Sequence, residues 1–252
     1  MQESGYKHPH FYDEVYKTLR TKDISFYVRR MQKAKRVCEI GCGTGRITIP
    51  AAQAGAKIHA IDPSEKMLNH LRVKAKMHMQ DGRITTELAS FHDFEENGFD
   101  LIVSPFRAFQ HLNSIEAQID SLSNVKKNLL PGGKFIFDVF APSYFKLAHP
   151  LHDDIDVVFI HPISQNRVER YANVHPDYAA QILHIHFVYV ELDKEGYPIS
   201  THDEYHTMRW FHRFEIEHLL LRCGFKIDAI WGDFESGIAY DYHSGEMIII
   251  AH

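Results

Sequence analysis

Apolar residues recur along this chain with two alternating periods. Between Val37 and Asp62 it reads VCEIGCGTGRITIPAAQAGAKIHAID. Arg36–Ile40 is a short apolar run of strand type, Ile47–Ala54 has helical spacing, and Lys57–Ile61 is a second strand run closed by Asp62. Gly55 stands where a helix C-cap belongs. Upstream, residues 6–30 place Phe11, Val15, Tyr16 and Leu19, then Ile24, Tyr27, Val28 and Met31, at helical spacing. Downstream, Ser64 is the expected N-cap of a helix running to about Lys76, with Met67, Leu68 and Leu71 inward. Ile84–Ala89 and Phe99–Ser104 read as third and fourth strands. Ser114–Leu130 reads as a helix, with Asn113 and Glu116 expected as its capping box. Pro131-Gly132-Gly133 is expected to turn the chain into a fifth strand, Lys134–Phe140. Helices alternating with apolar strands predict a doubly wound, mostly parallel sheet.

The rhythm then changes. Strand-type runs at Val157–His161, Val168–His175, Ile182–Leu192 and Asp203–Phe211 follow one another without a helix. They predict an antiparallel β insertion between the fifth strand and the last helix, Phe214–Cys223. Phe225–Trp231 and Glu246–Ala251 close the fold, giving seven strands in the main sheet. The expected division is 1–140 with 212–252 as the main domain, 1–30 forming a helical lid, and 141–211 as a β-rich cap.

Composition narrows the function classes. Net charge is −5 without a Lys/Arg block, so an extended nucleic-acid groove is not expected. MQESGYKHPH has no apolar signal core, and no run approaches a membrane span. The three cysteines (Cys38, Cys42, Cys223) lack metal spacing, so a reduced, cytoplasmic setting is the simple expectation. Among 19 histidines, His184 and His186 share a strand face, with His202 and His206 nearby. No carboxylate or thiolate spacing supports a metal site there, and none is predicted.

The candidate chemistry lies in Gly41-Cys42-Gly43-Thr44-Gly45 and Asp62. Glycines allow sharp bends and close approach of a ligand. The following helix offers unpaired N–H groups. A carboxylate ending the neighbouring strand can accept both hydroxyls of a ribose. The unit therefore reads as a nucleoside site. Its G-x-G-x-G spacing, preceded by Glu39, differs from the dinucleotide fingerprint G-x-G-x-x-G.

That motif resembles the first motif of class I S-adenosylmethionine-dependent methyltransferases. The Pro131-Gly132-Gly133 turn and the element order extend the likeness along nearly the whole chain. Val103–Leu112, Phe137–Phe140, and the closing half from Arg209-Trp210-Phe211 through Gly224-Phe225 and Gly232-Asp233-Phe234 are similar to a bacterial, small-molecule-type subgroup whose substrates are poorly assigned. The resemblance implies a Rossmann-like sheet and S-adenosyl-L-methionine as cofactor. It implies that Gly41, Cys42 and Gly43 face the methionine and ribose, that Asp62 holds the ribose diol, and that Pro63 and Met67 flank the adenine. It implies an acid at the end of the third strand. Ser90 stands there instead, followed by Phe91, His92 and Asp93. After the fourth strand, Ser104, Pro105 and Phe106 are implied at the methionine end, with Arg107 facing either the carboxylate or solvent. Tyr16 belongs to the expected lid over the cofactor.

Methyl transfer is an in-line displacement that rests on alignment and exclusion of water, so no fixed catalytic residue is required. If a base operates, His111 is the candidate. Tyr12, Gln110, His111, Tyr144, Tyr171, Tyr189, Arg209 and Trp210 are candidates for the acceptor pocket. The expected reaction is methyl transfer to N or O of a small molecule by a monomer or homodimer. The competing readings are a nucleic-acid or protein methyltransferase, and a non-catalytic nucleoside-binding protein. The base-methylating Asn/Asp-Pro-Pro-Tyr/Phe motif is missing at Ser104-Pro105-Phe106.

Overall fold

The computed structural model describes residues 5–141, 143–235, 237–241 and 243–252. The N-terminal helical stretch is two helices, α1 (Pro9–Leu19) and α2 (Lys22–Met31). Pro9 starts α1 with its φ already helical, and extended Arg20 ends it. Then come β1 (Val37–Ile40), α3 (Thr48–Gln53), β2 (Ile58–Asp62), α4 (Glu65–Lys74), α5 (Lys76–Gln80), β3 (Ile84–Leu88) and β4 (Phe99–Ser104). A single 3-10 turn, Ala108–His111, precedes α6 (Ile115–Asn128) and β5 (Leu129–Phe140). The remaining elements are α7 (Tyr144–Ala148), β6 (Asp154–Ile160), β7 (Arg167–Asp177), β8 (Ile182–Leu192), β9 (Pro198–Arg209), α8 (Arg213–Arg222), β10 (Ile227–Trp231) and β11 (Glu246–Ala251).

The chain divides into two compact units, one of residues up to Thr21 with Ser143–Arg209, the other of Lys22–Pro142 with Trp210–His252. The larger unit holds a seven-stranded sheet in the order β10-β11-β5-β4-β1-β2-β3. β1–β5 pair in parallel, and β11 is antiparallel to both its neighbours. This is the doubly wound Rossmann-like sheet expected from the alternating pattern. Strands buried on both faces, such as β1 and β2, read as continuous apolar runs because helices cover them on each side. The order reverses between β1 and β4, and ligands bind at the carboxyl ends of strands at such a switch point.

Two local expectations needed correction. The cap of α6 is Ser114, whose Oγ accepts the Ala117 N–H at 3.1 Å, not an Asn113–Glu116 box. A hydroxyl one residue closer to the first turn reaches its free donor directly. Pro131-Gly132-Gly133 does not precede β5 but lies within it, as a bulge between the pairs Phe99↔Leu129 and Leu101↔Lys134. Gly133 is required there, because a Cβ would stand 2.9 Å from the carbonyl oxygens of Leu130 and Phe99.

The smaller unit is an antiparallel sheet in the order β6-β7-β8-β9. The period-2 pattern sends Phe159, Val168 and Tyr189 to one face, where Phe11 and Val15 of α1 pack on them. Glu204 of β9 accepts the Lys7 and His8 N–H groups at 2.8 and 3.0 Å, which fixes the entry to α1. Register puts His184 and His186 on the opposite face from His202 and His206, so the four histidines do not converge. No group of three metal-ligating side chains occurs among the described residues. No described helix is long and apolar enough to cross a membrane.

Candidate active site

β1 delivers the glycine loop to the switch point. The Gly41 and Cys42 N–H groups both donate to the Ile61 carbonyl, at 2.9 and 3.0 Å, so the loop folds back over β2. Gly41, Gly43 and Gly45 all have positive φ, a region side chains rarely adopt. Asp62 ends β2, and its carboxylate joins two loops. Oδ2 accepts the Gly43 N–H at 2.8 Å and Oδ1 the Ser64 N–H at 2.9 Å. Ser64 in turn caps α4 through the Met67 N–H. Pro63 is exposed and Met67 is buried.

Burial raises the Asp62 pKa to about 6, against the lowering by the Ser64 and Gly43 N–H groups. Burial likewise raises Glu39 to about 8, although its hydrogen bond to the Thr48 hydroxyl (2.8 Å) pulls the other way. Glu39 therefore sits at the base of the loop largely as a neutral acid at neutral pH. Burial, then the charges of Asp62 and Glu39, push the Cys42 thiol well up, which removes it as a thiolate nucleophile.

At the end of β3, the Ser90 N–H and hydroxyl both donate to Asp93 Oδ1, at 2.6 and 2.9 Å, and His92 Nδ1 lies 2.9 Å from the same hydroxyl. The Ser90 N–H bond leads the effects that hold the Asp93 carboxyl below its ordinary value. A carboxylate thus stands at this strand end after all, a few residues beyond Ser90. The Phe91 ring is turned into the core, edge-on to Phe109 with centroids 5.8 Å apart.

β4 supplies the facing loop. Ser104 and Pro105 are buried, and the Ser104 hydroxyl has no hydrogen-bond partner among the described residues. A buried orphan hydroxyl calls for an explanation, and a ligand at the strand end supplies one. Phe106 and Arg107 have φ of 58° and 65°, two successive non-glycine residues in the left-handed region. Such a conformation costs about 1–3 kcal/mol per residue and persists only where its surroundings hold it. Arg107 pairs with Glu246 of β11 at 2.5 Å, so its guanidinium is engaged with the protein. Gln110 is buried and its Oε1 accepts the Phe140 N–H at 2.8 Å, tying the 3-10 turn to β5. His111 is exposed at the end of that turn, and Trp210 is buried.

The other candidates lie in the smaller unit. Tyr12 and Tyr16 adjoin on α1 with ring centroids 4.7 Å apart, and Phe11 meets Tyr189 at 5.1 Å. These tyrosines share one sheet face with Arg170 and Glu204, which the sequence pattern did not single out. Arg170 makes a two-pronged pair with Asp156 and lies 4.1 Å from the Phe187 ring centroid. Burial works against ionisation of Glu204, but His206 and the Lys7 and His8 N–H groups hold its carboxyl below the ordinary value. Tyr171 is on the opposite face, donating to Glu169 at 2.8 Å. Arg209 ends β9 beside the Ala180 carbonyl, and Tyr144 is exposed on α7. The charged runs Glu169-Arg170 in β7 and Asp203-Glu204 in β9, within otherwise strand-type segments, were the available signal for Arg170 and Glu204. Only strand register reveals that they share a face.

Comparison with known proteins agrees with this geometry. Residues 37–133 match a family model described as a methyltransferase domain. The putative methyltransferase YqeM of Bacillus subtilis is 26% identical over 205 residues, covering 79% of this chain and 76% of its own. A cypemycin N-terminal methyltransferase from Streptomyces sp is 25% identical over 218 residues, covering 86% and 82%. A solved S-adenosylmethionine-dependent methyltransferase from Clostridium acetobutylicum superposes with a TM-score of 0.77 at 19% identity, covering 96% of each chain. The sugar N-methyltransferase KedS8 from Streptoalloteichus sp superposes at 0.71 with 14% identity, covering 99% and 97%. Over residues 37–133 the chain is similar to methyltransferase domains, and it has the fold of solved class I S-adenosylmethionine-dependent methyltransferases.

Proposed function

We propose that this protein transfers a methyl group from S-adenosyl-L-methionine to an amine nitrogen of a small molecule. The observation that carries the cofactor assignment is Asp62, a buried carboxylate bonded to the glycine loop and the start of α4 at the switch point. The orphan Ser104 hydroxyl at the facing strand end supports it. Two similar proteins support the amine, one a cypemycin N-terminal methyltransferase and the other a sugar N-methyltransferase. When bound, the cofactor supplies a methyl group on a positively charged sulfur.

In this reading the chain's own residues bind and align. Asp62 accepts the ribose hydroxyls, and Gly41, Cys42 and Gly43 admit the ligand close to the backbone. Pro63, Met67 and the Ser90–Phe91 segment flank the adenine, with Asp93 as the acid that Ser90 holds in place. Ser104, Pro105 and Phe106 meet the methionine end. Alignment of this kind supplies up to about 7–11 kcal/mol of the barrier without acid or base. Where the amine arrives protonated, the exposed imidazole of His111 is the group proposed to take its proton. The β-rich unit, which leaves the carboxyl end of β5, is proposed to select the acceptor. Tyr16, the partly exposed ring of the α1 pair, is the aromatic face suited to an amine or ammonium group there, with Tyr12 and Tyr189 packed behind it.

Calorimetry with S-adenosylhomocysteine, S-adenosylmethionine and NAD tests the cofactor reading. Binding of the first two and not of NAD is expected, and tight NAD binding with neither sulfur compound bound would reject it. Asp62→Ala should weaken S-adenosylhomocysteine by about 1.5–3 kcal/mol, the worth of hydrogen bonds to a charged group. Unchanged affinity would remove Asp62 from the site.

The pH dependence follows from the raised Asp62 pKa of about 6. The ionised carboxylate is the form that accepts both hydroxyls. Affinity for S-adenosylhomocysteine should therefore rise with pH through about 6 and level off above it, by up to about tenfold per pH unit for one linked proton. Ligand-free stability has the opposite sign. A carboxyl whose folded pKa exceeds its unfolded value stabilises below the unfolded pKa, and that contribution is lost as pH rises through the folded one. In Asp62→Asn, the step in affinity near pH 6 should vanish; a persisting step would assign it to another group.

A further inference from the structure

α2 carries Asp23 and Tyr27 one helical turn apart, and so on one face. Asp23 reaches the glycine loop, and Tyr27 reaches β5 at Asp138. Asp23 receives the Arg46 guanidinium in a two-pronged pair of 2.9 and 2.5 Å, immediately after the glycine loop. The Tyr27 hydroxyl donates to Asp138 Oδ1 at 2.7 Å, and the same oxygen accepts the Phe106 N–H at 2.8 Å. Asp23, Tyr27 and Asp138 are fully buried. The circuit closes where the Arg46 guanidinium lies 4.5 Å from the Phe106 ring centroid.

Two features of this arrangement exceed what packing needs. A carboxylate in the middle of a core is costly to bury, and apolar side chains fill such space at lower cost. Asp138 is nevertheless there, and it accepts from a helix and from the strained turn after β4. That turn, left-handed at both Phe106 and Arg107, needs outside contacts to persist. The Phe106 N–H is held from β5, its ring from the glycine loop, and Arg107 from β11.

We propose that Tyr27 and Asp138 are positioning residues that set the Phe106–Arg107 turn and thereby the protein's grip on the amino-acid end of its cofactor. This rests on the reading above that the turn after β4 meets that end. Neither residue needs to touch the ligand. They act through the direction of the Phe106 backbone, which fixes where the neighbouring carbonyls and the Ser104 hydroxyl point.

The test compares two ligands that differ only at that end. S-adenosylhomocysteine carries the amino acid; 5′-methylthioadenosine keeps the adenine, ribose and thioether but lacks it. Calorimetric titration of Tyr27→Phe and Asp138→Ala should show S-adenosylhomocysteine weakened at least tenfold, with methylthioadenosine within about twofold of the unaltered protein. Asp138→Asn keeps an oxygen for both donors and should recover most of the lost affinity. Tyr27→Phe removes a single oxygen and is the variant to rely on if Asp138→Ala does not fold, as judged by circular dichroism. Unchanged S-adenosylhomocysteine affinity, or equal loss for both ligands, would overturn the positioning role while leaving the cofactor reading intact. Failure of the unaltered protein to bind either ligand would remove both.

Discussion

Gly41→Ala is expected to lose measurable cofactor binding and about 2–5 kcal/mol of folding stability. Two effects combine. The backbone at Gly41 has φ +75°, which costs an L residue about 1–2 kcal/mol. The added Cβ would also stand 2.6 Å from the Ala108 Cβ, where carbon atoms prefer about 3.5–4.0 Å. Forcing that contact costs about 1–3 kcal/mol, taken up by separating the glycine loop from the turn after β4. Those two loops face each other at the switch point, so the separation falls on the site itself. Denaturant titration with an unchanged slope, together with calorimetry, checks the result. The double variant Gly41→Ala with Ala108→Gly relieves the clash but not the dihedral cost, so it should recover part of the stability. Normal stability and binding in Gly41→Ala alone would show that the loops are not in contact as described.

Asp23→Ala is expected to cost about 3 kcal/mol of folding stability. Asp23 is fully buried and the Arg46 side chain is 12% exposed, so removal of the carboxylate strands a guanidinium in the interior. Breaking one side of a buried pair typically costs about 3–5 kcal/mol, and the lower end applies because Arg46 retains some contact with water. Converting both partners, Asp23→Ala with Arg46→Met, should be milder than Asp23→Ala alone, since no buried charge is left. A thermodynamic cycle over the two single variants and the double measures the coupling. Purely additive effects would mean that the pair contributes only packing.

Much of the larger unit was legible along the chain. The β-loop-α-β unit from Val37 to Asp62 declares itself because a glycine loop between two apolar runs has few other solutions. Its strands are buried on both faces, so their residues are apolar without interruption. The insertion was legible by the loss of helical spacing, although β9 starts at Pro198 and stops at Arg209, leaving Trp210 and Phe211 to the larger unit. Helix ends were less legible. At α6, adjacent Asn113 and Ser114 both suit a cap, and only the backbone turn decides between them. α1 has the same amphipathic spacing as α2, yet the two helices belong to different units, because Phe11 and Val15 match the apolar face of β6–β8.

By itself the order of residues determined the alternating architecture, the glycine loop, and the acid that closes β2, because each depends on neighbours a few positions away. Tertiary structure alone decided that Tyr27 and Phe106 share one oxygen of Asp138, that Arg46 turns to Asp23, and that Glu204 holds the start of α1. Tyr27 and Asp138 are separated by 111 positions and Lys7 and Glu204 by 197. Periodicity records which face of an element is buried; it carries no information about which distant element arrives there. That is set by strand order and register, which emerge only when the whole sheet has formed.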